Sequence, residues 1–377
     1  MARFVAVNWR DIRNPEAGGA EVHLHEILKR LAAEGHEVTC FASNFEGGDE
    51  EESYDGIRVM RSGRWFDANF TVPRRVRAYL REHRCDLVIE DINKIPFFLP
   101  LVSPAKVVAV VPHLFGATVF RETNPLFASY VYLWERLIPA VYRKCRFVVI
   151  SPSTKADLVS RGIGAERIDV VLCGLDHAAY RLMDGVERES VPTLVHFGRM
   201  RKYKSIDVVI RAFARVRESL PAARLFVVGD GPERGNLVRL ARALGLGSSV
   251  EFPGAVSTPD LVGILNRAHL FVNASPKEGW GLTVIEANAC GLPVVASRRP
   301  GLQDSVKDGE TGYLVEYGDV EGFARRSIEL LTEPATWKRM SAAGLAWARS
   351  LTWDRTGREM RDIFLAEIES ARSENRG

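Results

Sequence analysis

The stretch HLFVNASPKEGWGLTVIEANACGLPVVAS, residues 269–297, holds two short apolar runs with a glycine turn and a helical segment between them. HLFVNAS (269–275) and LPVVAS (292–297) lack polar alternation, which marks strands buried on both faces of a parallel sheet. Gly279 and Gly281 break the chain after the first run, and a helix is expected from about Leu282. The result is strand, loop, helix, strand, the building block of an α/β domain. Glu278 falls in the loop and Glu286 on the first turns of the helix, so both carboxylates can face one ligand. The helix N-terminus adds amide groups and a positive dipole end, and the glycines let backbone come close. A sugar phosphate suits such a site, its phosphates on the amides and its hydroxyls on the carboxylates. Spacing alone fits a solvated loop with a capping glutamate equally well.

The same pattern extends outward in both directions. Strand candidates in the first half are FVAVNW (4–9), EVTCFA (37–42), DLVIE (86–90), KVVAVV (106–111) and RFVVI (146–150). In the second half TLVHFG (193–198), RLFVVG (224–229) and SVEFPG (249–254) precede the quoted stretch. Amphipathic helices lie between them: Leu24, Ile27, Leu28 and Leu31 follow the i, i+3, i+4, i+7 spacing, as do Ile206, Val209, Ile210 and Phe213. The fold class is therefore α/β, with two Rossmann-like doubly wound domains. Residues 1–175 form the first and 176–350 the second, joined through the polar stretch 173–193. A last helix within 351–377 carries Met360, Ile363, Phe364 and Ile368 on one stripe. Open α/β sheets bind ligands beyond the carboxyl ends of their strands, so the chemistry is expected in a cleft between the two domains.

Bulk properties narrow the class. A chain of 377 residues exceeds one ordinary core. A net charge of +3, with no long run of one sign, gives no reason to expect nucleic acid. Five scattered cysteines without C-x-x-C spacing read as reduced, packed thiols, and MARFVAVNWRD lacks the organisation of a signal peptide, which points to the cytoplasm. The apolar stretch from Ile95 to Phe120 is interrupted by Lys106 and by prolines, so it is not expected to span a bilayer.

Other residues carry possible chemistry. In FGRMRKYKSIDVVI (197–210), Arg199 and Lys204 lie in a strand-to-helix loop, where a guanidinium fork and a point charge could neutralise a diphosphate. Gly18 and Gly19 precede a helix in NPEAGGAEVHLHEIL (14–28), which has neither the GxGxxG spacing nor the P-loop lysine. His113 stands just past a strand end, a place more often structural than catalytic. His23 and His25, two apart, fall on different helix faces. No D-x-D pair and no metal-spaced cluster occurs, so bound phosphates would need protein cations. GDGPERG (229–235) reads as a turn with Pro232 opening a helix, and no chemistry is assigned to it.

Together these segments resemble glycosyltransferase family 4, the retaining transferases of the GT-B fold. The matching pieces are GGAE (18–21), PHLFG (112–116), VISPSTKADL (149–158), VVLCGLD (170–176), FGRMRKYKSID (197–207), VVGDGPE (227–233) and VEFPG (250–254). The most specific is EGWGLTVIEANACGLPVVAS (278–297), with the family's two glutamates and seven residues between them. The resemblance covers nearly the whole chain and implies a C-terminal helix packing back on the first domain. It also implies transfer of a hexosyl group from a UDP- or GDP-sugar, with retention, to a glycan, glycolipid or lipid-linked acceptor. No cofactor and no structural or catalytic metal is implied.

Roles follow by position. Glu286 is expected on the ribose, Glu278 on donor sugar hydroxyls, and amides around Gly281, Leu282 and Thr283 on sugar and phosphates. Arg199 and Lys204 hold the leaving diphosphate, Gly18 and Gly19 close over it, His113 lies near the reacting face, and backbone from Phe252 to Ala255 holds the base. Ser205 departs from the pattern, since glycine often follows the lysine. An epimerase or phosphorylase of the same fold is the alternative reading; an NAD-dependent oxidoreductase lacks its fingerprint here.

The acceptor signal is weaker. Arg74, Arg75, Arg77, Arg81 and Arg84 crowd VPRRVRAYLREHR (72–84), and NPLFASYVYLWERLIPAVYRK (124–144) is rich in apolar side chains. These segments fit peripheral docking on the anionic inner face of a membrane, or equally a solvated basic helix beside a buried one. Asp91 and Asn93 are candidate acceptor contacts.

Overall fold

The computed structural model describes residues 1–93, 95–121 and 124–374. The chain divides into two compact units, Met1–Gly174 with Trp353–Gly377, and Leu175–Thr352.

The first unit is built on β1 (Arg3–Val7), β2 (Glu37–Ala42), β3 (Glu51–Tyr54), β4 (Ile57–Arg61), β5 (Leu87–Asp91), β6 (Val107–Val111), β7 (Arg146–Val149) and β8 (Ile168–Val170). They form one sheet in the order β3-β4-β2-β1-β5-β6-β7-β8. All neighbours are parallel except β3 and β4, a hairpin whose turn residues Asp55 (φ 52°) and Gly56 (φ 75°) are both left-handed. Without β3, the strand order reverses between β1 and β5, the switch point of a doubly wound sheet. The expected strands all occur, each within a few residues of its predicted limits. β3, β4 and β8 were not anticipated.

Leu24, Ile27, Leu28 and Leu31 of the helix Gly19–Ala33 are buried in one cluster with Met360, Phe364 and Ile368 of the helix Trp353–Glu374. Burying each such side chain contributes about 1.5–3 kcal/mol. The sequence-distant last helix thus completes the core under the first one.

Three carboxylates shape the loops of this unit. Asp11, after β1, accepts two bonds from the Arg61 guanidinium, at 2.7 and 2.9 Å, and one from the Tyr54 hydroxyl at 3.0 Å. Burial alone would raise the Asp11 carboxyl, but Arg61 and its other donors hold it below the ordinary carboxylate range. Glu90 is fully buried and accepts from Phe97 N, Leu99 N and the Tyr142 hydroxyl, fixing the loop after β5; burial pushes its carboxyl up to about 7. Glu135 accepts from the amides of Phe115 (2.7 Å) and Gly116 (2.8 Å), which sets the loop after β6 that carries His113.

The helix Ala68–Glu82 buries Val72, Val76 and Leu80, leaving the residues around its start exposed, with Trp65 68%, Phe66 64% and Phe70 55% accessible. The helix Pro125–Arg136 is not the buried helix that its composition allows. It buries Ala128, Val131 and Glu135 but leaves Leu126 (85%) and Leu133 (61%) in solvent. Among the described residues no helix is long and apolar enough to cross a membrane.

The second unit contains β9 (Thr193–Phe197), β10 (Arg224–Val228), β11 (Val250–Gly254), β12 (Leu270–Asn273), β13 (Val294–Ser297) and β14 (Gly312–Val315). Their order is β11-β10-β9-β12-β13-β14, parallel throughout. Counted within the unit this is 3-2-1-4-5-6, the dinucleotide-fold order, with its switch point between β9 and β12. β14 is the one strand of this sheet absent from the sequence reading. The helix Ile206–Ser219 buries Ile206, Val209, Ile210 and Phe213, as its periodicity requires. All five cysteines are free thiols, four of them buried.

Candidate functional site

The loops that leave β9 and β12 flank the switch point of the second unit. Lys204 comes from the first and Glu278 from the second, and Lys204 Nζ donates to Glu278 Oε1 at 2.6 Å. Both side chains are only about 15% exposed, at 16% and 15%. Burial disfavours the ammonium, but Glu278 beside it wins, so Lys204 stays charged with its pKa above the ordinary value.

The cation loop is held by close backbone packing. The Gly198 amide donates to Val228 O (3.0 Å) and the Met200 amide to Asp230 O (2.8 Å), while the Glu233 amide donates to Met200 O (3.1 Å). A Cβ on Gly229 would stand 2.1 Å from Gly198 O, and one on Gly231 would stand 2.5 Å from Met200 O. No side chain fits at either place. The GDGPE stretch therefore clamps the loop carrying Arg199 and Lys204. The helix after it begins at Arg234, so Pro232 lies in the preceding turn rather than opening the helix.

On the other side, Gly281 (φ 85°) turns the chain into the helix Leu282–Ala289. A Cβ there would meet Ser305 Oγ at 2.8 Å. The first amides of a helix have no partner within it, and Leu282 and Thr283 stand at that end, half-buried. Glu286 lies one turn further on the same helix. Burial pushes its carboxyl up to about 7, opposed by a hydrogen bond with the Tyr180 hydroxyl. Tyr180 lies in the polar segment after the first unit, and the sequence reading missed it as a partner.

Phe252, on β11, is half-buried, and its carbonyl accepts from Arg234 Nη2 at 3.1 Å. Arg199 is exposed on the same loop as Lys204. The second unit thus carries Arg199, Lys204, Phe252, Glu278, Gly281, Leu282, Thr283 and Glu286.

The remaining predicted residues belong to the first unit. The Gly18 amide donates to Glu21 Oε2 at 2.7 Å, so the glycine turn is fastened to its own helix. Gly19 is exposed. His113 is half-buried with the Phe115 ring edge-on, centroids 4.9 Å apart. Asp91 is fully enclosed and Asn93 is 4% exposed, donating to Asn8 Oδ1 at 2.8 Å. Burial, then the neighbouring Glu21 and Glu90, push the Asp91 carboxyl well above its ordinary value. His23 is buried against Trp353, whereas His25 meets Asp55 at 2.8 Å.

Comparison with known proteins decides the family. A family model described as Glycosyltransferase Family 4 matches residues 17–179, and one described as Glycosyl transferases group 1 matches residues 184–347. A D-inositol 3-phosphate glycosyltransferase of Thermobifida fusca is 31% identical over 90% of this chain and 87% of its own. The chain belongs to glycosyltransferase family 4.

This family 4 chain is also 28% identical, over 96% of its length and 97% of the relative's, to a mycolicibacterial protein. That relative, from Mycolicibacterium smegmatis, is a GDP-mannose-dependent alpha-(1-6)-phosphatidylinositol monomannoside mannosyltransferase. Among solved structures, sucrose-phosphate synthase from Thermosynechococcus elongatus superposes with a TM-score of 0.81 at 21% identity, over 98% of this chain and 100% of that one. The family 4 chain therefore has the GT-B fold, and it is a glycosyl-transferring enzyme.

Proposed function

We propose that this glycosyltransferase moves a hexosyl group, with retention, from a UDP- or GDP-sugar to a hydroxyl of a glycan, glycolipid or lipid-linked acceptor. The observation that carries the reading is the Lys204–Glu278 pair at the switch point, with Glu286 on the helix that follows Glu278. In this reading Lys204 and Arg199 bind the diphosphate. Glu278 accepts hydrogen bonds from the donor sugar, and the amides at Gly281, Leu282 and Thr283 meet sugar and phosphate oxygens. Glu286 accepts the ribose hydroxyls, and backbone near Phe252 meets the base.

Bond breaking leaves negative charge on the departing nucleoside diphosphate and positive charge on the sugar ring. Fixed cations stabilise the first of these without a metal ion, and preorganised groups of this kind are commonly the largest catalytic term. The leaving phosphate takes the acceptor's proton on the face where the new bond forms. Acceptor-dependent release of nucleoside diphosphate, with the anomeric configuration of the product read by NMR, tests the whole scheme. Release without acceptor, an inverted product, or activity abolished by a chelator would each contradict it.

Two consequences concern Glu286. Glu286→Ala should weaken nucleotide binding about tenfold, the loss of one hydrogen bond to a charged group; unchanged affinity by calorimetry would count against the ribose role. Because burial favours the protonated carboxyl while hydroxyls bind the ionised one, affinity should rise with pH. The rise should come below about 7, where the carboxyl titrates, by up to about tenfold per unit, and level off above. The profile should be flat in Glu286→Gln. A flat wild-type profile would contradict the assignment.

The acceptor side is read from the first unit. We take the exposed Trp65, Phe66 and Phe70, at the start of the arginine-bearing helix Ala68–Glu82, together with the exposed Leu126 and Leu133 of the helix Pro125–Arg136, as surface for peripheral contact with anionic lipid. Sedimentation with anionic vesicles at low salt, reversed at high salt, is the expected result, and no binding at low salt would dismiss it.

A further inference from the structure

Ser205 sits between the turn Lys202–Lys204 and the helix Ile206–Ser219, with φ 50° and ψ 41°. This left-handed conformation is natural for glycine and disfavoured for a residue with a Cβ. Asp55 and Phe98 are the other non-glycine residues with positive φ among the described residues. Asp55 has a hairpin reason; Ser205 has none of that kind. Its backbone angle sets how the turn meets the helix, and hence where Lys204 points. The turn itself is held by the bonds Lys204 N to Arg201 O (3.0 Å) and Ser205 N to Lys202 O (3.2 Å).

Only 5% of Ser205 is exposed, and its hydroxyl shares a 3.1 Å hydrogen bond with the hydroxyl of Tyr317. Tyr317 reaches in from the loop after β14, at the far side of the sheet order from β9. Its own ring is fixed by the Arg299 guanidinium, 5.3 Å from the ring centroid. A serine in an unfavourable conformation is thus tied at its hydroxyl to a tyrosine that is itself braced.

We propose that Tyr317 is a positioning residue for Lys204, acting through the hydroxyl bond that keeps Ser205 left-handed. The inference rests on the reading of Lys204 as a diphosphate cation. A cation that stabilises charge only as it develops must be in place beforehand, and small displacements reduce the rate rather than the binding.

Tyr317→Phe should therefore lower kcat about fivefold, the rate equivalent of one lost hydrogen bond, with the donor KM changed less than about twofold. Ser205→Ala should match it, and the Ser205→Ala/Tyr317→Phe double variant should be no slower than either. Ser205→Gly needs no tether, so Ser205→Gly/Tyr317→Phe should return to within about twofold of wild type. Recovery by glycine separates positioning from a general loss of stability, which a further substitution would not repair.

Wild-type turnover in Tyr317→Phe, with Lys204→Ala impaired, would overturn the inference while leaving the diphosphate reading intact. So would a Ser205→Gly/Tyr317→Phe enzyme as slow as Tyr317→Phe. Wild-type turnover in Lys204→Ala would overturn the diphosphate reading and this inference with it.

Discussion

Lys204→Ala should lower turnover at saturating donor by about 10²-fold or more, the usual consequence of removing one group aimed at developing charge. The structure explains why no neighbour would substitute. The loop that carries Lys204 is clamped at Gly198 and Met200 by the backbone after β10, so Arg201 and Lys202 cannot slide into its place. The loss should fall mainly on kcat, because the charge on the diphosphate grows as the glycosidic bond breaks. Glu278 would be left nearly enclosed without its cation, so donor affinity should also fall, by less. Comparing Lys204→Ala/Glu278→Gln with Glu278→Gln alone, where no unpaired carboxylate is left in either variant, isolates the first effect. Steady-state rates of nucleoside diphosphate release give the answer, and equal turnover in mutant and wild type would reject Lys204 as the cation.

The largest expected effect on stability lies in the other unit. Asp11→Ala should destabilise it by about 3–5 kcal/mol, the range for removing one partner of a buried ion pair. Arg61 is fully buried and would keep Glu52 Oε2, at 2.9 Å, and Asp49 O, also at 2.9 Å, as partial compensation. That places the expectation at the lower end, with a midpoint lowered by roughly 10 °C for a unit of this size. Because the folded-state Asp11 carboxyl lies below its unfolded value, the stabilisation is present above about pH 4 and lost as the pH falls through the folded pKa. The wild type should lose this contribution in acid, and Asp11→Ala should have none to lose. Chemical denaturation at pH 7 and pH 3 would show both; equal stabilities at pH 7 would refute the argument. The loop after β1 leads to Gly18 and Gly19, so any loosening should spread to that turn.

The strand pattern was legible because parallel strands in this fold are buried on both faces and appear as uninterrupted apolar runs. The missed strands fail that test for stated reasons. β3 is EESY, polar and half-exposed at a sheet edge, and β8 is three residues long. The Asp55-Gly56 dipeptide before IRVMR is a hairpin signal that the search for apolar runs passed over. The two glutamates and Lys204 were legible because motif spacing and the strand-to-helix context coincide. The tyrosines around them were not: Tyr180 lies 106 positions before its partner Glu286 and Tyr317 lies 112 after its partner Ser205, and only the folded sheet order joins them. Burial was the least legible property. Asp91 and Asn93 read as polar residues at a strand end open to an acceptor, yet both are buried. Leu126 and Leu133 read equally as core or as surface, and they are surface.

The placement of the helix Trp353–Glu374 has a consequence for how the polypeptide matures. Ribosomes deliver the chain from its amino end, yet the first unit lacks Met360, Phe364 and Ile368 until the last segment emerges. The second unit ends at Thr352, so its own residues are all delivered earlier. The half that begins synthesis first is therefore the half that finishes last, and Leu24, Ile27 and Leu31 stay partly uncovered while they wait.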